Sequence, residues 1–138
     1  MQSNIHKNNS ANHYDVIVLG AGAAGLMAAI TAASRNRSVL VVEKSNKIGK
    51  KILMSGGGKC NFTNTSIEFE NFISQNPHFC KSALSRYTAF DFIKLVEKHA
   101  IEYEERKDHQ MFCVHSSKDI VNMLQKECSV SGVEILKN

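Results

Sequence analysis

The spacing Gly20-x-Gly22-x-x-Gly25, within YDVIVLGAGAAG, constrains this chain more than any other feature. Alone, the pattern is common; its setting is what gives it force. Tyr14 to Leu19, YDVIVL, is a short run with a β-branched centre that ends at a glycine, the mark of a strand buried on both faces. Ala23 to Ser34 is alanine-rich and strongly helix-favouring. The glycines therefore occupy a strand-to-helix turn, where a phosphate-binding backbone requires them. Gly20 permits the tight turn, Gly22 lets the backbone approach a pyrophosphate, and Gly25 lets the helix lie close on the sheet. The helix start, with Ala23 and Ala24, offers free N–H groups and a positive dipole end to phosphates.

Asn36 can end this helix in the left-handed conformation. Ser38 to Val42 is a second buried strand, and Glu43 closes it, 18 residues past Gly25. Strand, helix, strand makes one right-handed βαβ unit. A carboxylate at Glu43 is placed to accept hydrogen bonds from ribose hydroxyls and disfavours a 2′-phosphate, so NADP fits poorly there. Further on the signals weaken. Asn61 to Asn76 reads as irregular. Thr88 can cap a helix over Ala89 to His99, and Ser117 one over Lys118 to Ser129. Ile101 to Val114 reads as a hairpin, and Val133 to Leu136 as a third strand after the stop at Gly132.

A nicotinamide dehydrogenase normally runs from the acidic residue into another helix and parallel strand. This chain instead continues KSNKIGKKILMSGGGKCNFTN. A second close backbone approach, twelve residues past Glu43, points to a ligand longer than an AMP half. FAD, with its ribityl chain and ring beyond the pyrophosphate, is such a ligand.

The run from Tyr14 to Asn64, with GAGAAG and GKKILMSGGGKCN, resembles the N-terminus of a bacterial family of FAD-dependent oxidoreductases. These flavoproteins are labelled NAD(P)/FAD-dependent or aminoacetone-oxidase-like. The likeness is looser through FCVHSSKDIVNMLQKECSVSGVEI. It departs at Asp108 to Met111, where the family usually has a glycine before its own run, and at Val114. The resemblance implies an α/β fold: a Rossmann-like doubly wound parallel sheet of the FAD-binding type, incomplete in this chain. Glu43 and Lys44 would face the adenosine ribose. Lys51, Ser55, Gly56, Gly57, Gly58 and Asn61 would lie along the pyrophosphate, ribityl chain and flavin. The implied activity is hydride or electron transfer, with a small-molecule substrate and NAD(P)H as a candidate donor. No catalytic residue is identifiable.

The family's proteins are much longer, so these 138 residues read as an N-terminal piece: a tail over 1–12, then part of one FAD-binding domain over 13–138. In the strand order 3-2-1-4-5, stopping after the third strand leaves the first at an edge. Two other functions compete with the flavoprotein: a non-catalytic nucleotide-binding fragment, and an NAD-dependent dehydrogenase, which the SGGGKCN loop disfavours.

Composition narrows the partners. The formal charge of +4 is scattered, with no aromatic residues interleaved in a basic stripe, which argues against nucleic acid. Four cysteines at spacings without C-x-x-C suit reduced thiols in the cytoplasm, and no metal-ligand spacing occurs. Disulfide reductases of the two-dinucleotide-binding class carry C-x-x-x-x-C near this place. Here Thr65 stands five on from Cys60, so Cys60 reads as a packing residue, with Lys59 beside it the one argument for reactivity. Val16 to Ala33 is uncharged for 18 residues, but its three glycines and seven alanines argue against a membrane span.

Overall fold

The computed structural model describes residues 13–138; the expected tail over 1–12 lies outside them. Strand β1 (Val16–Leu19), helix α1 (Ala23–Ala33) and β2 (Val39–Glu43) form the βαβ unit expected from the sequence. The stretch that reached membrane-spanning length is thus a strand, a turn and a helix. Among the described residues, no helix is long and apolar enough to cross a membrane. Asn36 takes the left-handed conformation, φ 58°, after α1. A short helix α2 (Lys50–Met54) follows, then β3 (Asn61–Asn64), α3 (Lys81–Arg86) and α4 (Ala89–Lys98). Strands β4 (Tyr103–Arg106) and β5 (Gln110–Cys113) precede α5 (Ser117–Val130) and β6 (Glu134–Lys137).

Two three-stranded sheets result. The first is parallel, in the order β1-β2-β6. Its third strand by sequence pairs the second, so among the described residues β1 is at an edge, which matches the first three strands of the order 3-2-1-4-5. The second sheet is antiparallel, in the order β3-β5-β4. It contains the expected hairpin, turning at Lys107–His109, plus one strand where irregular chain was expected. Four residues, NFTN, carry too little periodicity to announce β3; its pairing with β5, nearly fifty residues on, creates it.

Helices α1 and α5 pack together over one face of the parallel sheet, and α2 packs against α5. Leu26 and Ala29 of α1, Val39 and Val41 of β2, and Ile120, Leu124 and Cys128 of α5 form a continuous core. Ala29 is fully buried, as close helix–sheet packing needs. The other sheet face differs from the expectation of strands buried on both sides. Ile17 is 59% and Leu19 83% exposed, and Leu136 is also exposed. These side chains alternate with the inward valines, and no described element packs over them.

The caps follow side-chain chemistry. Thr88 starts α4: its Oγ1 accepts from the Asp91 N–H at 3.2 Å, and its own N–H donates to Asp91 Oδ2 at 2.9 Å. Helix α5 starts one residue earlier than expected. Ser116 is the cap, because Asp119 lies three residues on and closes the reciprocal bond. Ser117 is instead buried, and its hydroxyl donates to the Leu53 carbonyl at 3.0 Å, fastening α5 to the end of α2.

Candidate cofactor cleft

The turn between β1 and α1 is fixed from three sides. The Gly20 N–H donates to the Val42 carbonyl at 2.8 Å. The Ala21 N–H donates to Glu43 Oε2 at 2.8 Å, and the Ala21 carbonyl accepts from the Gly49 N–H at 2.8 Å. Ala21 is fully buried, so this peptide locks the glycine turn to the end of β2 and the start of α2. The first bond of α1, from the Leu26 N–H to the Gly22 carbonyl, leaves the earlier N–H groups without an intrahelical acceptor.

The three glycines of the motif have three different reasons. Gly20 has φ +100°, a conformation that favours glycine. A Cβ on Gly25 would lie 2.0 Å from the Gly20 carbonyl oxygen, so the helix can approach the turn only without one. Gly22 has φ −86°, and a Cβ there would meet nothing within 4 Å. Nothing in the chain's own folding demands glycine at 22. The space its missing side chain leaves opens into a cleft.

That cleft has a volume of about 570 Å³. Of the residues expected from the sequence, Gly20, Gly22, Ala23, Ala24, Gly25, Glu43 and Lys51 line it. Ser45, Lys47, Gly49 and Lys50 line it too and were not foreseen. A serine two residues past an acid, and a glycine opening a helix, are the signals that could have found Ser45 and Gly49. A second pocket of about 260 Å³ shares Ala23, Lys51 and Ile52 with the first and adds Ser55, Cys60, Asn61, Phe62 and Phe92. Shared walls make the two one elongated site, polar at the turn and apolar beyond it. Lys44 is exposed and lines neither pocket; its carbonyl accepts from the Asn138 side chain.

Gly56, Gly57 and Gly58 also line neither. They take φ of 54°, 64° and 88°, a left-handed turn that L-residues resist. A Cβ on Gly56 would come within 2.6 Å of the Phe112 ring and 2.7 Å of the Asn61 nitrogen. The run of glycines thus has a folding reason: it turns the chain sharply between α2 and β3 and brings Asn61 to the pocket wall.

Glu43 is the electrostatic centre of the cleft. Besides the Ala21 bond, its Oε1 accepts from the Ser45 N–H at 2.9 Å and from Ser45 Oγ at 3.0 Å. The Ser45 and Ala21 backbone bonds hold its carboxyl below the usual 4.5. A carboxylate has about four lone-pair sites, so three bonds leave one for a ligand hydroxyl. Because the folded value is depressed, the ionised form's contribution to the turn is complete above 4.5 and lost as pH falls below it. Glu43→Gln replaces one acceptor oxygen with an NH₂ donor that must face an N–H or hydroxyl already donating there. Flavin affinity, read by fluorescence titration, is expected to fall about 10- to 100-fold, the worth of one charge-assisted bond.

Cys60 is 4% exposed, and burial pushes its thiol up, against a hydrogen bond with Ser55. Cys113, beside it across the β3–β5 pairing, is pushed up to about 12 by burial and by Cys60. Lys59 does not activate the thiol: its ammonium donates to the carbonyls of Val114 at 2.6 Å and His115 at 2.9 Å. All four cysteines are free and buried. Expected, then, is no labelling of these thiols by a thiol-specific chromogenic disulfide in the native protein and full labelling after denaturation; rapid native labelling of Cys60 would contradict a packing role.

Residues 14–138 match the model of the HI0933-like protein Rossmann domain. The chain belongs to the HI0933-like Rossmann domain family. This agrees with the resemblance seen in the sequence. Within the family's reach, the chain is 51% identical over 120 residues to the ribosomal RNA dihydrouridine synthase of Escherichia coli (strain K12). It is 52% identical over 120 residues to the protein of that name from Haemophilus influenzae. Each alignment covers 87% of this chain and 30% of the relative, so the chain spans about a third of the curated relatives' length. In fold it is similar to a 3-ketosteroid-delta4-(5alpha)-dehydrogenase from Rhodococcus jostii RHA1, with a TM-score of 0.64 at 15% identity, over 99% of this chain and 40% of that one.

The two named relatives overturn one expectation. Scattered charge argued against a nucleic-acid partner, yet both relatives are named for a reaction on ribosomal RNA. The physical reason is that a linear search for basic stripes tests only continuous segments. It is blind to surfaces assembled from distant ones and to the two-thirds of those relatives that this chain does not span.

Proposed function

We propose that this chain forms the FAD-binding part of a flavoprotein oxidoreductase that reduces uridine to dihydrouridine in ribosomal RNA. The observation that carries the cofactor reading is Gly22: a helix N-terminus with an unneeded glycine facing an open cleft. The substrate reading is supported by the 51–52% identity to the two relatives named for that reaction.

The residues present fit the group. Gly22, Ala23 and Ala24 would take the pyrophosphate on their N–H groups. Glu43, fixed by Ala21 and Ser45, would use its remaining lone pair on the ribose. Lys51 stands where the two pockets meet and would offset phosphate charge. Ser55 and Asn61, which line the apolar pocket, would stand at the ribityl and ring end, and Gly56, Gly57 and Gly58 would serve it through the turn that brings Asn61 to the wall. Phe62 and Phe92, with ring centroids 5.8 Å apart, give that pocket an aromatic wall. FAD supplies hydride chemistry: reduction of the uracil C5=C6 bond adds a hydride and a proton, with a reduced nicotinamide as the proposed electron source.

Nucleoside mass spectrometry on ribosomal RNA tests the reading. RNA from cells lacking the intact gene, treated with the purified full-length protein and a reduced nicotinamide, should gain dihydrouridine, heavier than uridine by two hydrogens. A flavin-loaded protein that leaves all uridines unchanged would reject the substrate while keeping the cofactor.

A further inference from the structure

A groove on the outer side of α1 shares no lining residue with the cofactor cleft. Its volume is about 560 Å³, and it is lined by Met27, Ala28, Thr31, Ala32 and Arg35 of α1 and its end, with Arg86 and Tyr87 at the end of α3. Ala28, Thr31 and Ala32 make a low floor. Two guanidiniums and a phenol stand around it, and no acid lines it.

Arg35 and Arg86 are both exposed, and neither guanidinium has a hydrogen-bond or ion-pair partner among the described residues. Arg106 shows the contrast: it pairs with Glu104 at 2.7 Å and stacks 4.2 Å from the Phe112 ring centroid. The acid whose charge reaches Tyr87 is Asp91, already engaged by Thr88 and, at 3.5 Å, by Lys94. The groove is therefore a concentration of unspent positive charge beside a 43%-exposed aromatic ring. Arginine's planar fork suits phosphate, and an aromatic face suits any base.

We propose that this groove is an RNA-contacting surface, in which Arg35 and Arg86 hold backbone phosphates and Tyr87 stacks on an unpaired base. The proposal rests on the ribosomal RNA reading and gives it a place on this chain. Its occupant is a single-stranded or looped segment, because a stacked duplex base cannot present its face to Tyr87. The groove adjoins the cleft along one helix. At about 1.5 Å of rise per residue, its far end lies within about 15–20 Å of the N-terminus of α1. An RNA seated there stays near the cofactor site without entering the pyrophosphate turn.

The test is fluorescence anisotropy with labelled transcripts covering the small and large ribosomal RNAs, using the full-length protein, its variants and a salt series. In Arg35→Gln/Arg86→Gln, affinity should fall about tenfold or more, and the salt slope should shrink by about one to two, the value of two phosphate contacts. Tyr87→Ala should lose about 5- to 100-fold, while Tyr87→Phe keeps binding. Lys118→Gln/Lys126→Gln removes equal charge from the exposed face of α5 and should change affinity less than twofold. Thermal melts confirm that each variant folds. Unchanged affinity and slope in the arginine pair, with wild type binding normally, overturns the groove alone. A wild type that binds none of the transcripts overturns both the groove and the ribosomal RNA reading.

Discussion

Gly22→Val is expected to give a folded protein without flavin. The backbone at 22 has φ −86° and ψ −177°, an extended conformation open to any residue. The new side chain meets nothing within 4 Å of the chain at its Cβ, so folding costs little more than a poorer helix cap, about 1 kcal/mol or less. The same branched side chain projects where a pyrophosphate must approach the N–H groups of α1. Flavin affinity should fall by at least about two decades, roughly 2.7 kcal/mol. Flavin content after reconstitution and a circular-dichroism melt, on the same preparation, separate the two effects. A variant that retains wild-type flavin content removes the pyrophosphate from this turn.

Gly25→Ala should do the reverse and break the fold. Its Cβ would sit 2.0 Å from the Gly20 carbonyl oxygen, 3.2 Å from the Gly20 carbonyl carbon and 3.3 Å from a Val18 methyl. The first two are backbone atoms of a turn held by Val42, with Glu43 and Gly49 locking the next peptide, so they cannot yield cheaply. Relief requires α1 to lift from β1, opening the packing of Leu26 and Ala29. We expect about 3–5 kcal/mol of destabilisation, among the largest that one methyl group causes. Loss of cooperative melting, or expression only as aggregate, is the readout. A soluble Gly25→Ala protein melting within a few degrees of wild type would mean that helix and turn are not packed this tightly.

The place of each glycine in the motif already separated these two roles, and the structure adds the steric reason for Gly25 and the open space beside Gly22. The turn was legible because strand, glycines, helix and Glu43 are close in the chain and locally consistent. The cap of α4 was legible because Thr88 and Asp91 stand three apart. The cap of α5 slipped by one residue because adjacent serines offer the same hydroxyl and only the position of Asp119 decides. The second sheet was half seen: β3 owes its form to β5, beyond any local window. Exposure of Ile17 and Leu19 could not be read either, since aliphatic runs do not say which face a neighbour covers. At the site, the lock between Ala21 and Gly49 is a backbone bond between distant residues and leaves no mark in side-chain identity. The SGGGKC run was read as cofactor approach, while the structure also gives it a steric reason in Phe112 and Asn61.

The central claim is that the turn, Glu43 and the adjoining apolar pocket are a FAD site. Titration of the full-length protein with FAD, followed by flavin fluorescence and absorbance and with Gly22→Val in parallel, tests it most directly. The account predicts saturable binding of one FAD per chain, abolished in Gly22→Val and weakened in Glu43→Gln. A protein that leaves the flavin spectrum unchanged, or that binds FAD equally well with valine at 22, would contradict it.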